Sequence, residues 1–184
     1  MQCHFIDNRQ AFRNASRQWL RPSFALLVLI LLATILAGSL RDLSAQTWEA
    51  RVVRVADGDS LEVQRGSQRY RIRLFGIDCP EYGQPCGKEA GHFTRTMVMG
   101  KTVTLKTMDK DRYGRIVALV WSGDRLVNRE LVRRGWAWVY PKYCLAQPLC
   151  TELKTLERSA RMQRTGLWEE RNPLPPWQWK RLQR

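Results

Sequence analysis

Between Glu49 and Phe75 the chain carries three short stretches with apolar side chains on roughly alternate residues. A period of two is the signature of a strand with one buried and one wet face. Glu49 to Val55 is rich in valine and stops at Ala56-Asp57-Gly58-Asp59. Ser60 to Gln64 follows, and Arg65-Gly66-Ser67 reads as a hairpin turn. Arg69 to Phe75 alternates basic and apolar residues before Pro80 breaks the chain. The pattern then changes period. Lys88 to Met99 is helical in composition and ends at Gly100. Thr102 to Met108 and Ile116 to Trp121 read as a further strand pair, joined by the charged loop Asp109 to Arg115. A short helix over Asn128 to Arg134 closes at Gly135, Trp136 to Tyr140 is extended, and a basic helix over Thr151 to Arg164 ends at Gly166. Short strands first, with helices intervening and following, predict an α+β fold on a small, strongly curved sheet or barrel.

Ahead of this region lies a different kind of segment. Phe24 to Leu40 holds no charge, and it follows a leader containing Arg9, Arg13, Arg17 and Arg21. Basic, then apolar, then small residues is the pattern of an export signal. Its 17 residues also reach the short end of what spans a bilayer. Arginine on the N-terminal side predicts that this end stays in the cytoplasm and the remainder is translocated. Cleavage near Gly38–Ser39 or after Ala45 would release the domain, whereas an uncut segment would anchor it to the membrane. The expected organisation is a leader with signal or anchor helix over 1–45, a folded domain over 46–170 and a basic tail over 171–184. Asn172 to Arg184 contains three prolines and two tryptophans, and is expected outside the core, loosely ordered or against a surface.

The net charge is +14. Residues 1–45 carry five Arg against two Asp, so +3 belongs to the leader and +11 to the rest. An excess of that size favours a polyanionic partner, nucleic acid before anionic lipid. Only His4 and His92 are present, which disfavours a Ser-His-Asp triad or a His-rich metal site. Chemistry is left to carboxylates, arginines, Tyr or Cys. Of the five cysteines, Cys3 lies in the leader, and Cys79, Cys86, Cys144 and Cys150 form an even set in the exported part. Proximity suggests the disulfides Cys79–Cys86 and Cys144–Cys150, although four cysteines allow three pairings.

Three stretches concentrate reactive side chains: Asp57-Gly58-Asp59-Ser60, Arg73-Leu-Phe-Gly-Ile-Asp78-Cys-Pro-Glu81 and Asp111-Arg112-Tyr113-Gly114-Arg115. Each alone is compatible with a turn, a helix start or a charged loop. Together they supply what phosphodiester hydrolysis needs without histidine. A hard divalent cation on oxygen ligands offsets the charge that develops on the phosphate. Arginine forks bind its non-bridging oxygens, and a carboxylate takes the proton of the attacking water.

These stretches resemble the staphylococcal-nuclease-like, or thermonuclease, family. Its pattern is an Asp-Gly-Asp-Thr turn, an Arg-containing strand leading to Asp-x-Pro-Glu, and a Tyr-Gly-Arg loop. The likeness continues through Leu126-Val-Asn-x-Glu-Leu-Val-Arg-x-Gly135 to Gly166-Leu-Trp168, about two-thirds of the chain, with every motif in family order. The resemblance implies an OB-type barrel of five strands with about three helices, and Ca²⁺-dependent hydrolysis of DNA and RNA. It implies that Asp59, Asp78 and the backbone carbonyl of Cys79 are metal ligands, and that Glu81 is the general base. Arg73 and Arg115 match the phosphate-binding arginines, and Arg112 and Tyr113 match residues lining the nucleotide pocket. Ser60 stands where the family has Thr, and Cys79 where the type enzyme has Thr; Tyr140 is a candidate substitute for tyrosines that do not map. A Cys79–Cys86 disulfide would staple the metal loop and make activity redox-sensitive.

The expected function is therefore an exported nuclease, anchored or released, acting as a monomer with no protein partner implied. A non-catalytic OB module that binds single strands through a basic groove and aromatics is the main alternative. An envelope structural protein leaves the carboxylate and arginine set unexplained.

Overall fold

The computed structural model describes residues 47–183. The chain begins with strands β1 (Thr47–Val55), β2 (Ser60–Arg65), β3 (Gln68–Leu74) and the short β4 (Ile77–Asp78). Helix α1 (Gly87–Val98) leads to β5 (Thr102–Lys110), β6 (Ile116–Ser122) and the short β7 (Arg125–Leu126). Helix α2 (Val127–Arg133), β8 (Trp138–Val139), α3 (Leu149–Met162), a 3₁₀ turn (Gly166–Glu169) and α4 (Pro176–Leu182) complete it. The predicted apolar span over 24–40 and its cleavage sites lie outside the described residues. No helix among the described residues is long and apolar enough to cross a membrane.

The main sheet runs β3-β2-β1-β5-β6-β7, and a further pairing of β3 with β6 closes it. That closing pair is parallel, with Arg73 opposite Val117, while the other ladders of this sheet are antiparallel. The result is a closed five-stranded barrel of OB type. Register shifts at Val52/Arg54 and at Thr107/Asp109 mark bulges, which bend two strands enough for so few to close. Alternation does the rest: Val52, Leu61, Val63, Ile72, Leu74, Val103, Leu105 and Val120 all turn into the core. Each such side chain contributes about 1.5–3 kcal/mol by leaving water.

Helix α1 covers one end of the barrel. Its buried residues Gly87, Ala90, Thr94, Met97 and Val98 recur at three- and four-residue spacing, a single helical face. Asn128, fully buried on α2, accepts the Val120 amide at 3.1 Å and donates to the Phe75 carbonyl at 3.0 Å. It thereby satisfies barrel-rim backbone that would otherwise be buried without partners. A second cluster of Trp138, Ala160, Leu167 and Trp168 lies beside the barrel core. The Arg161 guanidinium lies 3.9 Å from the centre of the Trp168 ring and 4.6 Å from that of Trp138.

One expectation changes. The stretch expected to be extended over Trp136 to Tyr140 is a strand only at Trp138–Val139, because the Trp136 amide turns back to Leu131 and the Tyr140 amide to Gly76. The three α-helices expected with the barrel are α1, α2 and α3, and α4 is additional to them. The additional one lies in the proline-rich tail, which packs on the domain.

Candidate active site

The first piece is the turn between β1 and β2. Asp57 accepts the Asp59 amide at 3.0 Å, and the Ala56 amide reaches the Ser60 carbonyl at 2.9 Å. From α1, the Thr94 hydroxyl donates to the Gly58 carbonyl at 2.6 Å. A β-carbon on Gly58 would lie 2.6 Å from Cβ and 2.7 Å from Sγ of Cys79, so only glycine fits. The turn is thus pressed against the segment carrying Asp78. Asp59, 1% exposed, accepts the Cys79 amide at 2.5 Å through Oδ2 and the Ser60 hydroxyl at 3.2 Å through Oδ1.

Arg73 lies opposite Ser60 in the β2–β3 ladder, and Asp78 is fixed by the pairing of β4 with Trp138. This register brings the Arg73 guanidinium into ion pairs with both Asp59 and Asp78, and it donates to the Ile77 carbonyl at 3.2 Å. Asp78 is 1% exposed, and its Oδ2 has no hydrogen-bond partner. A buried carboxylate oxygen without a partner is costly. Among the described residues no group of three or more His, Cys, Asp or Glu side chains is placed to hold a metal ion by side chains alone. Two carboxylates plus a backbone carbonyl and water are the donor set of an open site for such an ion.

Glu81 emerges from a tight loop. Its amide is held by the Gln84 side chain at 3.1 Å, and its carbonyl accepts the Gln84 amide at 3.0 Å. The chain returns so closely that a β-carbon on Gly87 would lie 2.0 Å from the Glu81 carbonyl oxygen. The Glu81 carboxylate, 31% exposed, meets the Lys180 ammonium at 2.7 Å, and the same ammonium lies 3.7 Å from Asp78.

The cysteines need a correction. Cys144 and Cys150 form a disulfide with Cα atoms 5.5 Å apart, but Cys79 and Cys86 are free thiols. Their side chains belong to different cores: Cys79 packs in the barrel under Gly58 and Ala90, and Cys86 packs on the Trp138–Trp168 cluster. Burial pushes both thiols above their ordinary pKa, neighbouring acids adding to this at Cys86. The expected redox staple is absent.

The β5–β6 loop carries the remaining predicted residues. Asp111 accepts the Tyr113 amide at 2.9 Å, the Arg115 amide at 3.0 Å and Arg115 Nε at 2.7 Å. Burial opposes ionisation of Asp111, but these bonds together outweigh it and hold the carboxyl below its usual range. Tyr113 is 58% exposed, with the Arg112 guanidinium 4.9 Å from its ring centre and donating to its hydroxyl at 2.8 Å. Arg71 ties the loop to β3 through the Tyr113 carbonyl at 2.8 Å. Arg115 precedes Val117, the register partner of Arg73, by two residues. The loop cluster and the carboxylate cluster are therefore neighbours along the β3–β6 seam. Among the described residues, no hydrogen bond or ion pair joins Arg112, Tyr113 or Arg115 to Asp59, Asp78 or Glu81.

Sequence reasoning missed the tail as a part of this site. Trp177 stacks on Tyr140 with ring centres 4.9 Å apart and planes 8° from parallel, and meets Trp138 edge-on at 5.8 Å. Gln84 donates to the Leu174 carbonyl at 2.6 Å. The available signal was Pro175-Pro176 ahead of Trp177, since proline at the first helical position starts a helix.

Comparison with known proteins agrees with this geometry. The family model described as "Staphylococcal nuclease homologue" matches residues 71–170. An Escherichia coli protein named "Uncharacterized endonuclease" is 44% identical over 131 residues, covering 71% of this chain and 83% of its own. A Haemophilus influenzae protein of the same name is 32% identical over 157 residues, covering 85% and 84%. A Shigella flexneri "Micrococcal nuclease" is 34% identical over 143 residues, covering 73% and 81%. With its barrel, its motifs in order and more than half its length matched, the chain belongs to the staphylococcal nuclease family of phosphodiester hydrolases.

Proposed function

We propose that this phosphodiester hydrolase is a calcium-dependent nuclease of DNA and RNA that works outside the cytoplasm. The observation that carries the reading is the buried pair Asp59 and Asp78, which share one guanidinium and leave Asp78 Oδ2 without a partner. Asp59, Asp78 and the Cys79 carbonyl are the groups to hold the ion, whose chemistry is to offset phosphate charge and acidify water. Glu81, more exposed than the aspartates and beside them, receives the proton of the attacking water. Arg73 and Arg115 bind the non-bridging oxygens, at neighbouring positions along the β3–β6 seam. Arg112 and Tyr113 form an exposed aromatic and cationic shelf for the nucleotide. The arginine-rich leader, the apolar stretch after it and the Cys144–Cys150 disulfide support an exported domain, anchored or released.

The test uses the purified full-length chain on single-stranded DNA with calcium, with magnesium and with excess chelator. Cutting is expected with calcium and not with chelator. Glu81→Gln and Arg115→Ala are each expected to lower the rate by roughly 10²–10⁴-fold. A folded chain that binds DNA but never cuts it with either metal would make the domain a non-catalytic binding module.

A further inference from the structure

We propose that Lys180 is a substrate-binding residue, a phosphate-contacting cation delivered to the cleft by the C-terminal helix, so that α4 forms one wall of the site. The inference rests on the nuclease reading above and extends it to a segment outside the family-matched residues 71–170.

The docking of α4 does not depend on the lysine. Pro176 is buried, Trp177 lies against Tyr140 and Trp138, and Gln84 holds the Leu174 carbonyl at 2.6 Å. Gln84 is the same residue whose side chain holds the Glu81 amide at 3.1 Å, so one amide group fixes both the general-base loop and the tail. This apolar and hydrogen-bonded anchorage places Lys180 one turn beyond Trp177. Its ammonium lies 2.7 Å from Glu81 and 3.7 Å from Asp78, while the side chain keeps 45% of its surface open. An exposed lysine gains little from an ordinary surface ion pair. Here it faces the carboxylates that flank the reacting phosphate.

During turnover those carboxylates have other occupations: Asp78 serves the cation and Glu81 the water proton. The ammonium then loses them as partners and has the substrate phosphate as the nearest anion. A four-carbon stem with rotatable donors accommodates that change without moving the helix. A tail acting as a plug would have to leave the cleft, and Trp177, packed between two aromatic rings, opposes departure.

Lys180→Met, Lys180→Arg and Trp177→Ala in the full-length chain test this. On single-stranded DNA with calcium, Lys180→Met is expected to raise KM about 5–20-fold with a much smaller change in kcat, as loss of one phosphate contact requires. The slope of log(kcat/KM) against log salt becomes shallower by about 0.7–1. Lys180→Arg restores most of both effects, and Trp177→Ala reproduces them because the lysine is no longer delivered. Melting curves of the two Lys180 variants should superimpose on wild type. Unchanged kcat/KM and salt slope in Lys180→Met overturn the proposal, and a rise in kcat/KM overturns it in favour of a plug. If the wild type does not cut, the hydrolytic reading fails by itself. The salt slope of oligonucleotide binding, read by fluorescence anisotropy on the same variants, then decides on Lys180.

Discussion

Asp59, in the turn between β1 and β2, and Asp78, on β4, are each 1% exposed, whereas Tyr113 stands 58% exposed on the hairpin loop between β5 and β6. The aspartates are held by strand register, by the Cys79 amide and by Arg73. The loop is held by one carboxylate, Asp111, and by Arg71 reaching across to it. The same residue types thus work in two dielectric settings. In the pocket a charge is felt strongly, and an unmatched one is expensive. On the loop each ion pair is worth little for stability, and the groups stay available to a ligand. Buried, tightly held carboxylates beside a solvated cationic shelf suit a site that places some groups accurately and leaves others open to a ligand from solvent.

The sharpest way to break this contrast is Arg73→Ala. It leaves two buried carboxylates without their shared cation and should cost about 3–5 kcal/mol, read from urea unfolding. Calcium should raise the melting temperature of this variant more than that of wild type, because an ion would replace the missing charge. Equal calcium shifts would place the ion elsewhere. Gly58→Ala comes next. The added methyl meets Cys79 at 2.6 Å, and a loss of about 1–3 kcal/mol is expected, with the Asp59 turn pushed out of place and activity falling with it. A stable, fully active Gly58→Ala would show the turn to be looser than the pocket it serves.

The smallest effect belongs to the loop. Asp111 and Glu130 are both held below the ordinary carboxylate pKa, Glu130 chiefly by its hydrogen bond from Arg133. Each therefore contributes stability that is complete above its unfolded pKa, near pH 4, and lost as pH falls through the lower folded value. Acid titration of the melting temperature should show that loss. Asp111→Asn should flatten only part of it, costing at most about 1 kcal/mol at neutral pH. A larger cost would put the loop in the same class as the pocket.

The barrel was legible because its residues obey one rule: Leu61, Val63, Ile72 and Leu74 alternate, and a strand with one dry face has no other use for that order. The clustering of Asp59, Arg73 and Asp78 was legible only through motif resemblance, since nothing local says that residues 59 and 78 meet. Cys79 and Cys86 misled because separation along the chain says nothing of side-chain direction. The turns between Glu81 and Gly87 lie between them, with one thiol in the barrel core and the other facing the tryptophan cluster. The tail was opaque for another reason. Its long-range anchors, Trp177 on Tyr140 and Gln84 on the Leu174 carbonyl, join residues with no shared periodicity, and an isolated seven-residue helix has no stability of its own to announce it.

The parallel seam between β3 and β6 also sets an order in time. Arg73 lies beside Val117, and the chain between them must be made before that edge can close. A strand pairing of such sequence separation forms late, after the local hairpins. A nascent chain stopped before Ile116 has its first carboxylates and their arginine but no closed wall to hold them dry. The wall beside Arg73 is thus completed only by residues from Ile116 onward, so the pocket depends on a part of the chain far from the motifs that fill it.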